Sequence, residues 1–208
     1  MSHFDVLLIT DRRPDEQRVM ELFEPWMENC CGEPAMCFME FYPDDDEDVD
    51  ERTGERGYWQ NPNARWDWLE IGGRWSNMLK APEGFRGPRT KEAPGRFDQA
   101  VLRDVDLRDK AHLWDKAIKA WDEGDFGFYS PAWAKAHYQT AEFWARCCTD
   151  FYTHAVVVDG HWHECGKMGW FGCSSEDGDE LRDWVENFEE RFITPNLDRW
   201  ATVVDCHI

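Results

Sequence analysis

The chain has no apolar run approaching the roughly 18 residues that a membrane-spanning helix needs, so no membrane partner is expected. Met1 to Asp11 places no basic segment ahead of its short apolar run Val6-Leu7-Leu8-Ile9, which reads as a strand and not as an export signal. No C-x-x-C occurs among eight cysteines, two pairs of which are adjacent (Cys30-Cys31 and Cys147-Cys148). Without an export signal they are expected to be reduced thiols in the cytoplasm. G-x-S-x-G, Walker A, G-x-G-x-x-G and H-E-x-x-H patterns are also missing, so neither a nucleophile nor a phosphate cradle announces itself. Cations are scarce: 23 Lys and Arg stand against 43 Asp and Glu, a net charge of −20. That field repels phosphate backbones and disfavours direct nucleic-acid binding, while it suits a basic protein partner.

What is present is aromatic surface, with 13 Trp, 13 Phe and 5 Tyr in 208 residues, enough to build a core without metal or disulfide staples. His3 to Thr10 reads as a buried strand, and Asp11 with Pro14 starts a helix whose stripe is Val19, Leu22, Phe23 and Trp26. Pro25 bends or ends it. Ala35 to Tyr42 is the next strand candidate, completing a β-α-β unit. Near the other end, His154 to Asp159 and His161 to Cys165 flank Asp159-Gly160, a two-residue hairpin signal. Asp179 to Phe192 then carries Leu181, Trp184, Val185, Phe188 and Phe192 on one helical face, and Arg199 to His207 closes as a strand. The expected fold is α+β and ferredoxin-like (βαββαβ), an antiparallel sheet with helices on one face, in a single domain. Residues 1–42 and 151–208 would form its halves, and 43–150 an insertion or subdomain. In that insertion Asp44 to Arg52 is an acidic loop without EF-hand spacing, Ala81 to Arg96 is a Pro/Gly-rich loop that could serve as a lid, and Ala111 to Trp121 and Pro131 to Cys148 are helical by pattern.

The segment Arg65 to Trp75 (R-W-D-W-L-E-I-G-G-R-W) gathers the best candidate residues. Strand alternation would place Trp66 and Trp68 on one face and Asp67 on the other. Gly72-Gly73 permits a turn, after which Arg74 and Trp75 emerge. Asp67 could hold Arg74 by an ion pair, leaving the rings to brace a core or to stack on a ligand. A second segment alternates His161, His163 and Cys165 with Trp162 and Glu164, and Asp205 and His207 are two apart on the last strand. A zinc site of His163, Asp205 and His207 is conceivable from donor type, but no paired-cysteine motif accompanies it, and no metal or other cofactor is expected. Glu164 or Asp205 as base with Arg74 as anion clamp would suit a hydrolytic or proton-transfer site.

Asn61 to Trp75 (N-P-N-A-R-W-D-W-L-E-I-G-G-R-W), Thr153 to Gly172 with its G-x-W-x-E-x-G-x-M-G-W pattern ending at Trp170, and the closing V-V-D-C-H-I together resemble a group of largely uncharacterised phage and bacterial proteins. The resemblance implies a common fold and a phage or prophage origin, and it brings no reaction with it. The preferred expectation is an acidic accessory protein of the host cytoplasm, not an enzyme, that binds and inhibits a host protein such as a nucleic-acid-binding or defence protein. Its candidate surface is Trp66, Asp67, Trp68, Arg74, Trp75, His163, Glu164, Trp170, Asp205 and His207. The alternative is a small enzyme or nucleotide- or metabolite-binding protein whose pocket holds Asp67, Arg74, Glu164, Asp205 and His207.

Overall fold

The computed structural model describes residues 2–28, 35–81, 95–169 and 173–208. Its first strand, β1 (His3–Thr10), is apolar on both sides: Phe4, Val6 and Leu8 enter one cluster of buried side chains and Leu7 and Ile9 another. Such a strand belongs in the middle of a sheet covered on both faces. β1 accordingly pairs antiparallel with β10 (Trp200–His207) and parallel with β8 (Ala155–Val158). β9 (His161–Glu164) adds antiparallel to β8, while β4 (Trp68–Ile71) and β7 (Gln99–Val101) pair with successive stretches of β10 on its other side. The order is β4-β10-β1-β8-β9, with β7 beside β10.

Each face carries its own helices. α1 (Glu16–Phe23) packs Val19 and Phe23 on Phe4, Val6 and Leu8, with the fully buried Trp66 beside them. On the opposite face α5 (Gly178–Phe188) lays Leu181, Trp184, Val185 and Phe188 over Leu7 and Ile9. Side chains of α3 (Pro131–Tyr138) and α4 (Ala141–Thr149) join that cluster, with Trp121 of α2 (Trp114–Glu123) packed against it. The α+β class thus holds, but the chain departs from a ferredoxin-like plan in two respects. The sheet is mixed, because β1 and β8 run parallel, and the helices following β1 and β9 lie on opposite faces. The second follows from the two-sided apolar pattern of β1, which one layer of helices could not cover.

The middle of the chain is woven into this sheet through β4, β7 and Trp66. The strand expected over Ala35 to Tyr42 in the same sheet as β1 is instead β2 (Glu40–Pro43), which forms a separate hairpin with β3 (Gly57–Gln60), and β5 (Leu79–Lys80) pairs with β6 (Arg96–Phe97). The half-exposed β2 lacks the apolar residues that a central position needs. Most of the Pro/Gly-rich loop, 82–94, lies outside the described residues. Pro25 ends α1 as expected, opening a 3-10 turn over 24–26. Asp159 and Gly160 both take positive φ (52° and 74°) at the β8–β9 turn, the requirement of a type I′ hairpin. The helix expected over 131–148 is two helices, because Gln139 takes a positive φ of 65° and Thr140 then caps α4, its Oγ1 accepting from the Phe143 N–H at 3.1 Å. Among the described residues no helix is long and apolar enough to cross a membrane.

Candidate functional site

Register builds the site. On the α5 side of the sheet, beyond Leu7 and Val203, two rows run across β4, β10 and β1. Trp68, His207 and His3 stand level with one another, and one step inward so do Glu70, Asp205 and Asp5. Three carboxylates abreast repel one another unless other groups compensate, and the compensating groups can be named. Asp205, only 1% exposed, has both oxygens engaged: Oδ1 lies 2.9 Å from Nδ1 of His3, and Oδ2 accepts the Arg74 backbone N–H at 2.8 Å. Nδ1 of His207 meets Oδ1 of Asp67 at 2.5 Å across 140 residues. A carboxylate oxygen accepts, so Nδ1 is the protonated nitrogen of this ring. The His3 and His207 rings stand edge to face, their centroids 5.0 Å apart, and the Trp68 ring is 6.2 Å from His3.

Glycine makes the close approach possible. At Gly73 a Cβ would sit 2.4 Å from Asp205 Oδ2, and φ is +48°, so only glycine fits both the turn and the carboxylate beneath it. The turn of 73–75 is thereby clamped onto β10, and Arg74 and Trp75 emerge into solvent from it.

Asp5 is the member of the carboxylate row whose charge is costly. Burial pushes its carboxyl up to about 6 and Asp205 adds to the rise, although the His154 N–H, donated at 2.9 Å, and Lys110 oppose it. Next to it, burial pulls the His154 imidazole down to about 4. The two shifts have opposite linkage. Asp5 loses stability as pH rises from about 4 to 6, because the native state must then ionise a half-buried acid, while His154 loses stability as pH falls from 6.5 to about 4. Asp5→Asn is therefore expected to gain on the order of 2 kcal/mol at pH 8 and almost nothing below pH 4. Between pH 4 and 6 its stability should climb more steeply than that of the parent, because the His154 contribution is no longer opposed. Urea titrations across that range check this; a constant difference between the two proteins at every pH would contradict it.

The predicted site residues that are described divide into three sets. Asp67, Trp68, Arg74, Asp205 and His207 come together, with Trp75 adjoining in the same turn. Asp67 pairs with His207 and not with Arg74, whose side chain has no hydrogen bond or ion pair among the described residues. Trp66 goes elsewhere. The chain bends at Asp67 before β4 begins, so alternation fails: Trp66 is 1% exposed in the α1-side core, its Nε1 donating to the Phe23 carbonyl, while Trp68 is 44% exposed on the other face.

His163 and Glu164 lie on β9, separated from β10 by β1 and β8, roughly 14 Å at ordinary strand spacing. Glu164 accepts from Arg65 Nε and Trp162 Nε1 on the α1 side. His163 packs near Phe192, its basicity lowered by burial and by His161. The metal triplet of His163, Asp205 and His207 is not assembled, and no cluster of three or more metal-donor side chains occurs among the described residues. Trp170 lies outside the described residues.

His3 and Asp5 were not singled out from the sequence. The signal was present, because H-x-D opens the first strand and D-x-H closes the last, and antiparallel pairing superimposes the two. A further aromatic feature also went unread. Tyr129, Trp133 and His137 stack along α3 with centroids 4.7 and 4.5 Å apart, next to the fully exposed Phe128.

Chemically, an Asp–His pair orients one ring nitrogen and leaves the other to accept a proton. Here His207 Nε2 is buried and has no hydrogen-bond partner among the described residues, and Asp205 is saturated, so the polar groups act first as clamps. No family model, curated protein or solved structure matches the chain.

Proposed function

We infer that the protein is an acidic binding protein whose docking surface is Trp68, Arg74 and Trp75, and that its partner is a basic protein. The observation that carries this reading is the exposure of those three side chains, Trp68 at 44% and Trp75 at 37%, on a turn whose backbone is fixed by Asp205. Trp and Arg dominate interface energetics when they are presented rigidly, because little entropy is lost on docking. The net charge of −20 supplies steering towards a positive surface. A phage-encoded inhibitor of a host nucleic-acid-binding or defence protein would fit this profile, and the resemblance in the Trp-rich segments implies the phage or prophage origin alone.

Affinity capture from a bacterial lysate across a salt series tests the reading. A reproducible basic partner that is retained at low salt and shed as salt rises is expected. No partner at any salt concentration would overturn it.

A second reading, that of a small enzyme or a nucleotide- or metabolite-binding protein, rests on His207 Nε2, which lies beside His3 and has no hydrogen-bond partner among the described residues. It requires a substrate to reach that nitrogen past Trp68. A nucleotide and metabolite panel should then quench Trp fluorescence and raise the melting temperature by mass action. A flat panel counts against it.

A further inference from the structure

At the opposite end of β1 from the histidines, a cavity of about 520 Å³ opens where the parallel strands β1 and β8 end. Open sheets with parallel strands commonly take ligands beyond the carboxyl ends of those strands. Its wall includes Arg12, Arg13, Arg18 and Arg199, a concentration of cations in a chain with a surplus of 20 negative charges.

The carboxylates in that wall are already committed. Asp11 and Asp159 each lie 2.9 Å from Arg199, and Asp15 caps α1 by accepting the Arg18 N–H. Arg18 pairs with Glu21. Arg12 and Arg13 have no carboxylate partner among the described residues, although most other described arginines do.

Arg13 is positioned by a buried polar residue. Gln99, 5% exposed, donates its amide to the Pro14 carbonyl at 2.9 Å and to Thr202 Oγ1 at 3.1 Å. Its oxygen accepts Arg13 Nε at 2.7 Å. A glutamine held in this way orients the guanidinium while the two terminal nitrogens stay available, and those nitrogens grip planar oxyanions bidentately. Thr10 Oγ1 donates to the Arg12 carbonyl at 2.8 Å and shapes the same turn.

We propose that this cavity binds a small organic oxyanion, a phosphate monoester or a carboxylate, gripped by Arg12 and Arg13, with Gln99 as the positioning residue. The volume suits a metabolite-sized ligand. A nucleic-acid strand does not fit the surrounding field.

Isothermal titration of the full chain with glycerol 3-phosphate, inorganic phosphate and succinate tests it. Saturable one-to-one binding of at least one anion is expected, weakened about tenfold or more in Arg12→Ala and in Arg13→Ala. Preference for the phosphates or for succinate identifies the source of the oxyanion. Arg12 is exposed and its side chain has no hydrogen-bond or ion-pair partner among the described residues, so its variant should keep the parent melting temperature. Lys119→Ala, on the exposed side of α2, removes the same charge elsewhere and should bind within about twofold of the parent. Absence of saturable binding for all three anions, or equal weakening in Lys119→Ala, would overturn the proposal. Trp68→Ala leaves this binding unchanged, which separates it from failure of the partner-docking surface.

Discussion

Replacing Trp66 by alanine is expected to lower the unfolding free energy by about 4 kcal/mol, whereas Trp68→Ala should change it by less than about 0.5 kcal/mol. The two rings stand two residues apart in one motif and read alike in sequence. Trp66 fills the space between α1 and the sheet, edge to face with Phe23, and its indole N–H satisfies the Phe23 carbonyl at 3.0 Å. Its backbone holds the incoming chain as well: the Glu28 N–H donates to the Trp66 carbonyl at 2.7 Å and the Trp66 N–H to the Trp26 carbonyl at 3.4 Å. Truncation removes a large buried ring and opens a cavity that neighbours on a helix and a sheet can only partly close. Trp68 is nearly half exposed, so its loss removes little from the core. Urea denaturation of both variants checks the contrast. Similar midpoints for the two would show that the bend at Asp67 does not separate the rings.

Asp205→Ala is expected to cost about 3–4 kcal/mol, and Gly73→Ala a comparable amount. Without the carboxylate, the Arg74 N–H and His3 Nδ1 lose their acceptor in a place that water reaches poorly. A methyl at Gly73 collides with the same carboxylate and is also forced into a left-handed backbone. Because both changes act on one contact, the double variant should cost less than the sum of the two, with a coupling of about 1 kcal/mol or more. Strict additivity in equilibrium unfolding would mean that the turn is not held by Asp205.

Much of the local structure was legible. The Asp159-Gly160 turn was readable because few sequences tolerate two successive positive φ angles, and α5 because its stripe of four buried residues has one period, which Phe192 continues in the π-helical turn beyond it. The strand His3–Thr10 is legible from its apolar run, and the double-sided pattern of that run is what excludes a single layer of helices. Site residues were legible by type and not by location. Trp66 and Trp68 were assigned one face on the assumption of an unbroken strand, and a bend is invisible to alternation. His163 and Glu164 were grouped with Asp205 and His207, but strand order is a non-local property and two strands lie between them. The Asp67–His207 contact spans 140 residues, beyond the reach of any spacing argument.

In the proposed function Asp67, Asp205 and His207 serve as internal clamps so that Trp68, Arg74 and Trp75 are presented to a basic partner. Hydrogen exchange of the protein alone and in its captured complex should then show new protection across residues 68–76. Unchanged exchange there, with protection appearing instead along the stacked rings of residues 128–137, would contradict it.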